Sequence, residues 1–215
     1  MGTKRYSLAA AVLSMIACTS QIAYSDASEL PSPWQHKDIG NVTVAGSASA
    51  ADGVITLKGT LDIWGTNDGC HFAWQQIKGD GEIVARVLSV EETQNHAKGG
   101  VAIRESLAAD ARHATMVDTP MDGTQFLVRE ESGGKTTVQR TDLNKGTMPY
   151  WVKLVRAGDK LSGYESVDGR EWVQTGSATL KLPETVYIGL VASSHLKDRL
   201  CTAAFDKVTI TTNSK

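Results

Sequence analysis

Short runs of alternating apolar and polar residues, set apart by Gly- and Asp-rich turns, recur along most of the chain. Successive side chains of a strand point to opposite faces, so this alternation predicts half-buried strands. VITL follows Asp52-Gly53, HFAWQQI (71–77) ends at Gly79-Asp80-Gly81, and EIVARVLSV (82–90) follows at once. GGVAIRES from Gly99, HATMVD (113–118), QFLVR (125–129) and the segment 136–140 come next. YWVKLVR (150–156), the segment 160–166, the segment 171–175, VYIGLVA (186–192) and AFDKVTI (204–210) complete the series. Asp-Gly and Gly-Gly pairs supply the positive φ that tight hairpins need. About a dozen short strands at this spacing predict a sandwich or barrel, in an all-β fold. Only ESLAADAR (105–112) has helical character, and no βαβ rhythm appears.

Alternation also sorts faces. Val101 and Ile103 share one side of their strand, with Ala102 and Arg104 on the other. Ile83, Ala85 and Val87 oppose Val84 and Arg86, and Phe126 and Val128 oppose Leu127 and Arg129. Three middle strands thus each carry an arginine away from an apolar stripe. Two readings stand: separate solvated or salt-bridged arginines, or one concave surface lined by Arg86, Arg104 and Arg129.

Length and charge narrow the class. The 215 residues fit one or at most two domains. With 22 Lys and Arg against 24 Asp and Glu, the formal charge is -2, which is no footprint for nucleic acid. Lys4 and Arg5 precede an apolar run, residues 8–17, of a length that suits a secretory signal and is too short to span a bilayer. Ala23-Tyr24-Ser25 offers a cleavage site, so residues 1–25 read as a signal peptide and 26–215 as a single exported domain starting at Asp26. Met15-Ile16-Ala17-Cys18 is a loose lipobox, and lipidation at Cys18 is the alternative. Removing residues 1–25 takes away two cations and no acids, leaving 20 against 24, or -4. No later segment is apolar enough to be a transmembrane helix.

Cys70 and Cys201 remain. In an exported chain they either form one disulfide or stay as two buried thiols; the disulfide is the expectation. Asp62, Asn67 and Asp68 cluster within seven residues, and Asp206 lies near the C-terminus. Oxygen ligands of this kind suit calcium. D-x-D-x-D spacing is absent, however, and Asn67-Asp68-Gly69 is an ordinary turn string. The expectation is no cofactor, with calcium as the alternative.

LDIWGTNDGCHFAWQQIKGDGEIVARV (61–87) resembles the concanavalin A-like domain of bacterial secreted proteins, of β-xylosidase C-terminal regions and of the "regulation of enolase" proteins. AKGGVAIRESL (97–107), YWVKLVRAGDKLSGYESVDGREW (150–172), VYIGLVASSH (186–195) and AFDKV (204–208) follow in that family's order. The resemblance covers roughly residues 32–211. It implies a two-sheet jelly-roll sandwich with a curved front sheet, and a carbohydrate partner.

Glucanases of this fold carry E-x-D-x-x-E on one strand, and no such string occurs. Glu91 and Glu92 are adjacent and would face opposite ways, while Asp168 belongs to a turn. A polysaccharide lyase needs a charge neutraliser and a His or Tyr base, for which Arg104, Gln94, His96 and Tyr187 are suitable types. Ser194 and His195 have no third partner at motif spacing. Of five tryptophans, Trp64 beside Gly65 is the one expected to be exposed, and Trp74 the one expected in the core. Sugar rings stack on exposed aromatic planes. The reading is a secreted, non-catalytic carbohydrate-binding module, with Arg86, Arg104 and Arg129 as contacts suited to an acidic polysaccharide. Trp64, His96 and His195 would stand at the rim. A lyase or glycoside hydrolase acting on cell-wall or algal polysaccharide is the alternative, and a protein-binding sandwich the third.

Overall fold

The computed structural model describes residues 1, 2 and 29–212. The cleavage site, Cys18 and Asp26 lie outside the described residues. Fourteen strands and no helix occur among the described residues: β1 (Gln35–Ile39), β2 (Ser47–Ala51), β3 (Val54–Gly59), β4 (Cys70–Lys78), β5 (Gly81–Val90), β6 (Lys98–Arg104) and β7 (His113–Asp118), followed by β8 (Gln125–Arg129), β9 (Thr137–Arg140), β10 (Tyr150–Ala157), β11 (Lys160–Ser166), β12 (Val173–Thr179), β13 (Thr185–Ser193) and β14 (Cys201–Thr212). They form two antiparallel seven-stranded sheets. Sheet I has the order β1-β4-β13-β6-β7-β8-β9, and sheet II β12-β11-β10-β5-β14-β3-β2. This is a jelly-roll sandwich of the concanavalin A-like kind.

Alternation put the correct residues inside. Val101, Ile103, Ala114, Met116, Phe126 and Val128 of sheet I meet Ile83, Ala85, Val87, Val152, Leu154 and Phe205 of sheet II in one core. Phe126 lies over Gly163 of β11, where a Cβ would collide with its ring. At the sandwich edge the Gln139 carboxamide donates to Ser177 O and accepts from Ser177 N–H, closing the seam between β9 and β12.

Sheet I also carries apolar residues on its outer face. Ile39, Cys70, Phe72, Trp74, Ala102, Val117, Leu127 and Val191 form a second cluster with Ile63 of the β3–β4 loop. Trp74 is buried as expected, but in this outer cluster rather than between the sheets. The cluster exists because the β3–β4 loop, residues 60–69, folds back over sheet I with its ends joined by Gly69 N–H to Asp62 O, in the manner of an Ω-loop.

The expected disulfide is absent. Cys70 and Cys201 are free and buried. Cys70 packs in the outer cluster of sheet I, whereas Cys201 belongs to the core between the sheets. A layer of sheet therefore separates the two sulfurs. Burial pushes both thiols up to about 12.

Residues 105–112 are a loop, not a helix. Their carbonyls are not turned along a helix axis but toward two guanidinium groups. Arg104 donates to Ser106 O and Ala108 O, and Arg129 to Ala109 O and Ala111 O.

Candidate functional site

The three arginines do not share a hollow. Arg86 is on sheet II, the opposite side of the sandwich from the others, where it is paired bidentately with Asp206 and lies 5.8 Å from the Trp151 ring centroid. Arg104 and Arg129 do converge, but beneath the Ω-loop and with no exposure. Both hold Asp68: Arg104 Nη1 donates to Oδ2 at 2.6 Å and Arg129 Nη2 to Oδ1 at 2.6 Å. Arg129 also donates to Gly134 O, Gly65 O and Thr136 Oγ1. The alternation correctly placed the two side chains outside the core; what covers that face came from a distant loop.

Burial works against the Asp68 charge, yet neighbouring charges outweigh it and hold the carboxyl below its ordinary value. His113 Nε2 lies 3.5 Å from Asp68 Oδ2, but burial drives the imidazole down to about 3. His113 is therefore neutral at neutral pH, and the two guanidiniums carry the effect. This centre is structural. It pins the Ω-loop and the 105–112 loop onto sheet I, an arrangement reinforced by Asp68 N–H to Ala109 O.

The pinned loop presents Trp64. Strand register brings the starts of β4, β6 and β8 and the ends of β7 and β13 to one end of sheet I. Four loops meet there: β3–β4, β5–β6, β7–β8 and β13–β14. They enclose a cavity of about 390 Å³ lined by Asp62, Trp64, His96, Lys98, Asp122, Gln125, Val138, Arg140 and His195. Trp64 is 45% exposed, in contrast to Trp74 at 5%.

Polar groups ring the cavity in pairs. Lys98 Nζ donates to Asp62 Oδ1 at 2.5 Å and to His96 O at 2.9 Å. His195 Nδ1 lies 2.8 Å from Asp62 Oδ2, and His96 Nδ1 lies 2.7 Å from Asp122 Oδ2. The two imidazoles are in contact, with centroids 5.3 Å apart. His195 has φ 59° and Leu61 φ 62°, and both backbones are locked together: His195 N–H donates to Leu61 O and Leu61 N–H to Leu196 O.

Trp64, His96 and His195, expected at a rim, are thus brought together. Asp62, Lys98, Asp122, Gln125 and Arg140 line the same cavity, and the sequence singles out none of them for it; there Asp62 stands only as a calcium ligand. No local motif marks them, because each comes from a different loop or strand. The lyase set is not assembled. Arg104 is buried, and Tyr187 is its partner in the β6–β13 register, six residues along β6 from Lys98, or roughly 20 Å. The proposed calcium oxygens are dispersed: Asp62 faces Lys98 and His195, Asp68 the two arginines, and Asp206 Arg86. Among the described residues, no three His, Cys, Asp or Glu gather as a metal site. No helix among them is long and apolar enough to cross a membrane.

No protein-family model and no curated protein sequence matches the chain. Solved structures do. A functionally unknown protein from Saccharomyces cerevisiae superposes with a TM-score of 0.64 at 15% identity, covering 84% of this chain and 98% of that one. A mutant of the GH43 protein BlXynB from Bacillus licheniformis gives 0.58 at 14% identity, over 83% of this chain and 39% of that one. The carbohydrate binding module CBM66 from Bacillus subtilis gives 0.53 at 16% identity, over 83% and 95%. At these identities the likeness is one of fold.

Proposed function

We propose that the chain is an exported, non-catalytic carbohydrate-binding module and that the Trp64 cavity is its site. The observation that carries this reading is an exposed tryptophan face beside a ring of hydrogen-bonding side chains, in an open concavity. An indole plane buries the C–H face of a pyranose or furanose, and the flanking His, Asp, Gln and Arg groups address its hydroxyls. The volume falls within the ~300–1,000 Å³ of small-ligand sites. The shared fold with a carbohydrate binding module supports the reading. The order of motifs supports placing the chain with the "regulation of enolase" and β-xylosidase C-terminal type of domain, and the basic-then-apolar start of the sequence supports export.

Affinity electrophoresis against a panel of plant, algal and bacterial polysaccharides tests this. The wild-type protein is expected to be retarded by at least one polymer, and Trp64→Ala to lose at least tenfold in affinity at unchanged thermal midpoint. Failure of every polymer to retard the protein would overturn it.

One feature favours a second, catalytic reading: the His96–Asp122 and His195–Asp62 pairs in mutual contact could move protons. Release of reducing ends or of unsaturated uronates from a bound polymer, abolished in His96→Gln, would establish it.

A further inference from the structure

We propose that the cavity recognises an acidic saccharide, and that Arg140 is the group that binds its carboxylate. The inference rests on the carbohydrate reading of the same cavity and concerns the class of sugar it takes.

The charges in the cavity separate into spent and unspent. Asp62 Oδ1 accepts from Lys98, whose charge offsets that of the carboxylate, and Oδ2 lies 2.8 Å from His195 Nδ1. Asp122 Oδ2 lies 2.7 Å from His96 Nδ1, an ion pair when that imidazole is protonated. The Lys98 side chain is only 4% exposed, so its charge is used internally. Arg140 differs. It lies exposed at the end of edge strand β9, on the cavity side, and no acid stands within ion-pair distance of it among the described residues. A guanidinium without a counter-charge at a cavity wall calls for one from the ligand.

The neighbouring residue suits the same task. Arg140 is opposite Gln125 in the β8–β9 register, so the two side chains rise from adjacent points on one face. A planar guanidinium pairs with a carboxylate through two parallel N–H···O bonds. The Gln125 carboxamide can then serve the hydroxyl next to that carboxylate. Trp64 supplies the stacking plane. A uronic acid presents these three features together: an apolar ring face, a carboxylate at the ring edge, and vicinal hydroxyls.

The test uses titration calorimetry of the wild type, Arg140→Gln, Arg140→Lys and Trp64→Ala against four probes. These are oligogalacturonate, its carboxyl-reduced neutral counterpart, an alginate oligosaccharide and a sulfated galactan. The wild type is expected to bind a uronate at least tenfold more tightly than the reduced sugar, with a margin that shrinks at high salt. Arg140→Gln should lose that margin at unchanged thermal midpoint, Arg140→Lys should keep part of it, and Trp64→Ala should weaken charged and neutral sugars alike. Equal affinity for charged and reduced sugars, or a preference intact in Arg140→Gln, overturns the acidic class and leaves carbohydrate binding standing. Tighter binding of the sulfated galactan than of either uronate overturns the carboxylate. Absence of binding to all four probes, with neutral polysaccharides also unbound, overturns both readings.

Discussion

Asp68→Asn is the most searching perturbation of this structure, because one carboxylate holds two arginines that have no exposure. Asparagine keeps the shape but withdraws the charge, and turns an N–H₂ toward one guanidinium. Removing one partner of a buried ion pair costs about 3–5 kcal/mol, since the surviving charge is left desolvated. Here two cations survive, partly served by the carbonyls of residues 65, 106, 108, 109, 111 and 134. Those carbonyls keep the expected loss inside that range rather than above it. With a urea slope of about 2 kcal/mol per M, the unfolding midpoint should fall by roughly 2 M. The exposed pair Glu91–Arg199 is the control, and Arg199→Ala should cost less than about 1 kcal/mol. The Asp68 value is held below 3.8, so its contribution is fully present above that pH and disappears as acid protonates the folded carboxyl. Equilibrium urea unfolding from pH 3 to 8 measures both effects. A loss no greater than that of Arg199→Ala would refute the reasoning.

Three further outcomes follow from the interior and the edges. Burial, opposed by hydrogen bonds from Thr119 N–H and Asn144, leaves Asp118 raised to about 7, so the folded state holds a proton there that the unfolded chain releases near 3.8. On its own that group makes stability decline as pH rises from 4 to 7, while buried, neutral His113 works in the opposite direction over the same range, so the difference between proteins is the measurement: relative to wild type, Asp118→Asn should gain on the order of a few kcal/mol between pH 4 and pH 7; a difference that does not change with pH would contradict it. Gln139→Ala should cost about 1–2 kcal/mol in urea unfolding by stripping both partners from the Ser177 peptide groups. It should also raise light scattering at high concentration by freeing the β12 edge. Cys70 and Cys201 should resist alkylation in the folded protein and both react on unfolding without a reductant, read by peptide mass spectrometry; a peptide joined through these two residues would contradict the packing.

The strands were legible because alternation reports burial directly. Ile83, Ala85 and Val87, or Phe126 and Val128, could only face a core. β1 and β2 were missed because QHKDI holds a single apolar residue and SASAA alternates serine only with small alanine; they are held as edge strands by their neighbours, β4 and β3. The supposed helix at 105–112 failed because arginine side chains claim its carbonyls, a contact between residues as far apart as Ala109 and Arg129. The site was half legible. Trp64, His96 and His195 could be singled out by residue type. Which sheet an arginine occupies, and whether a loop lies over it, depends on strand order, which alternation does not encode. Arg140 ends a strand that was identified, yet nothing local separates it from any exposed arginine.

The same separation between scaffold and site can be tested at His195. Its φ of 59° lies in the left-handed region, where a side chain other than glycine costs about 1–2 kcal/mol. The strain is held by the Leu61–His195 and Leu61–Leu196 backbone bonds, and its result is an imidazole set beside Asp62 and against His96. His195→Gly removes that strain together with the imidazole. The contact it forfeits is a partly exposed one, worth at most about 1 kcal/mol, and glycine's larger unfolded-state entropy offsets part of the relief. Unfolding free energy should therefore stay within about 1 kcal/mol of wild type, while saccharide affinity falls at least tenfold. Strain kept at a position whose removal spares the fold but not the binding is what a functional site would show. A loss above about 2 kcal/mol in urea unfolding, with affinity intact, would instead make His195 part of the scaffold and leave the cavity wall without a purpose.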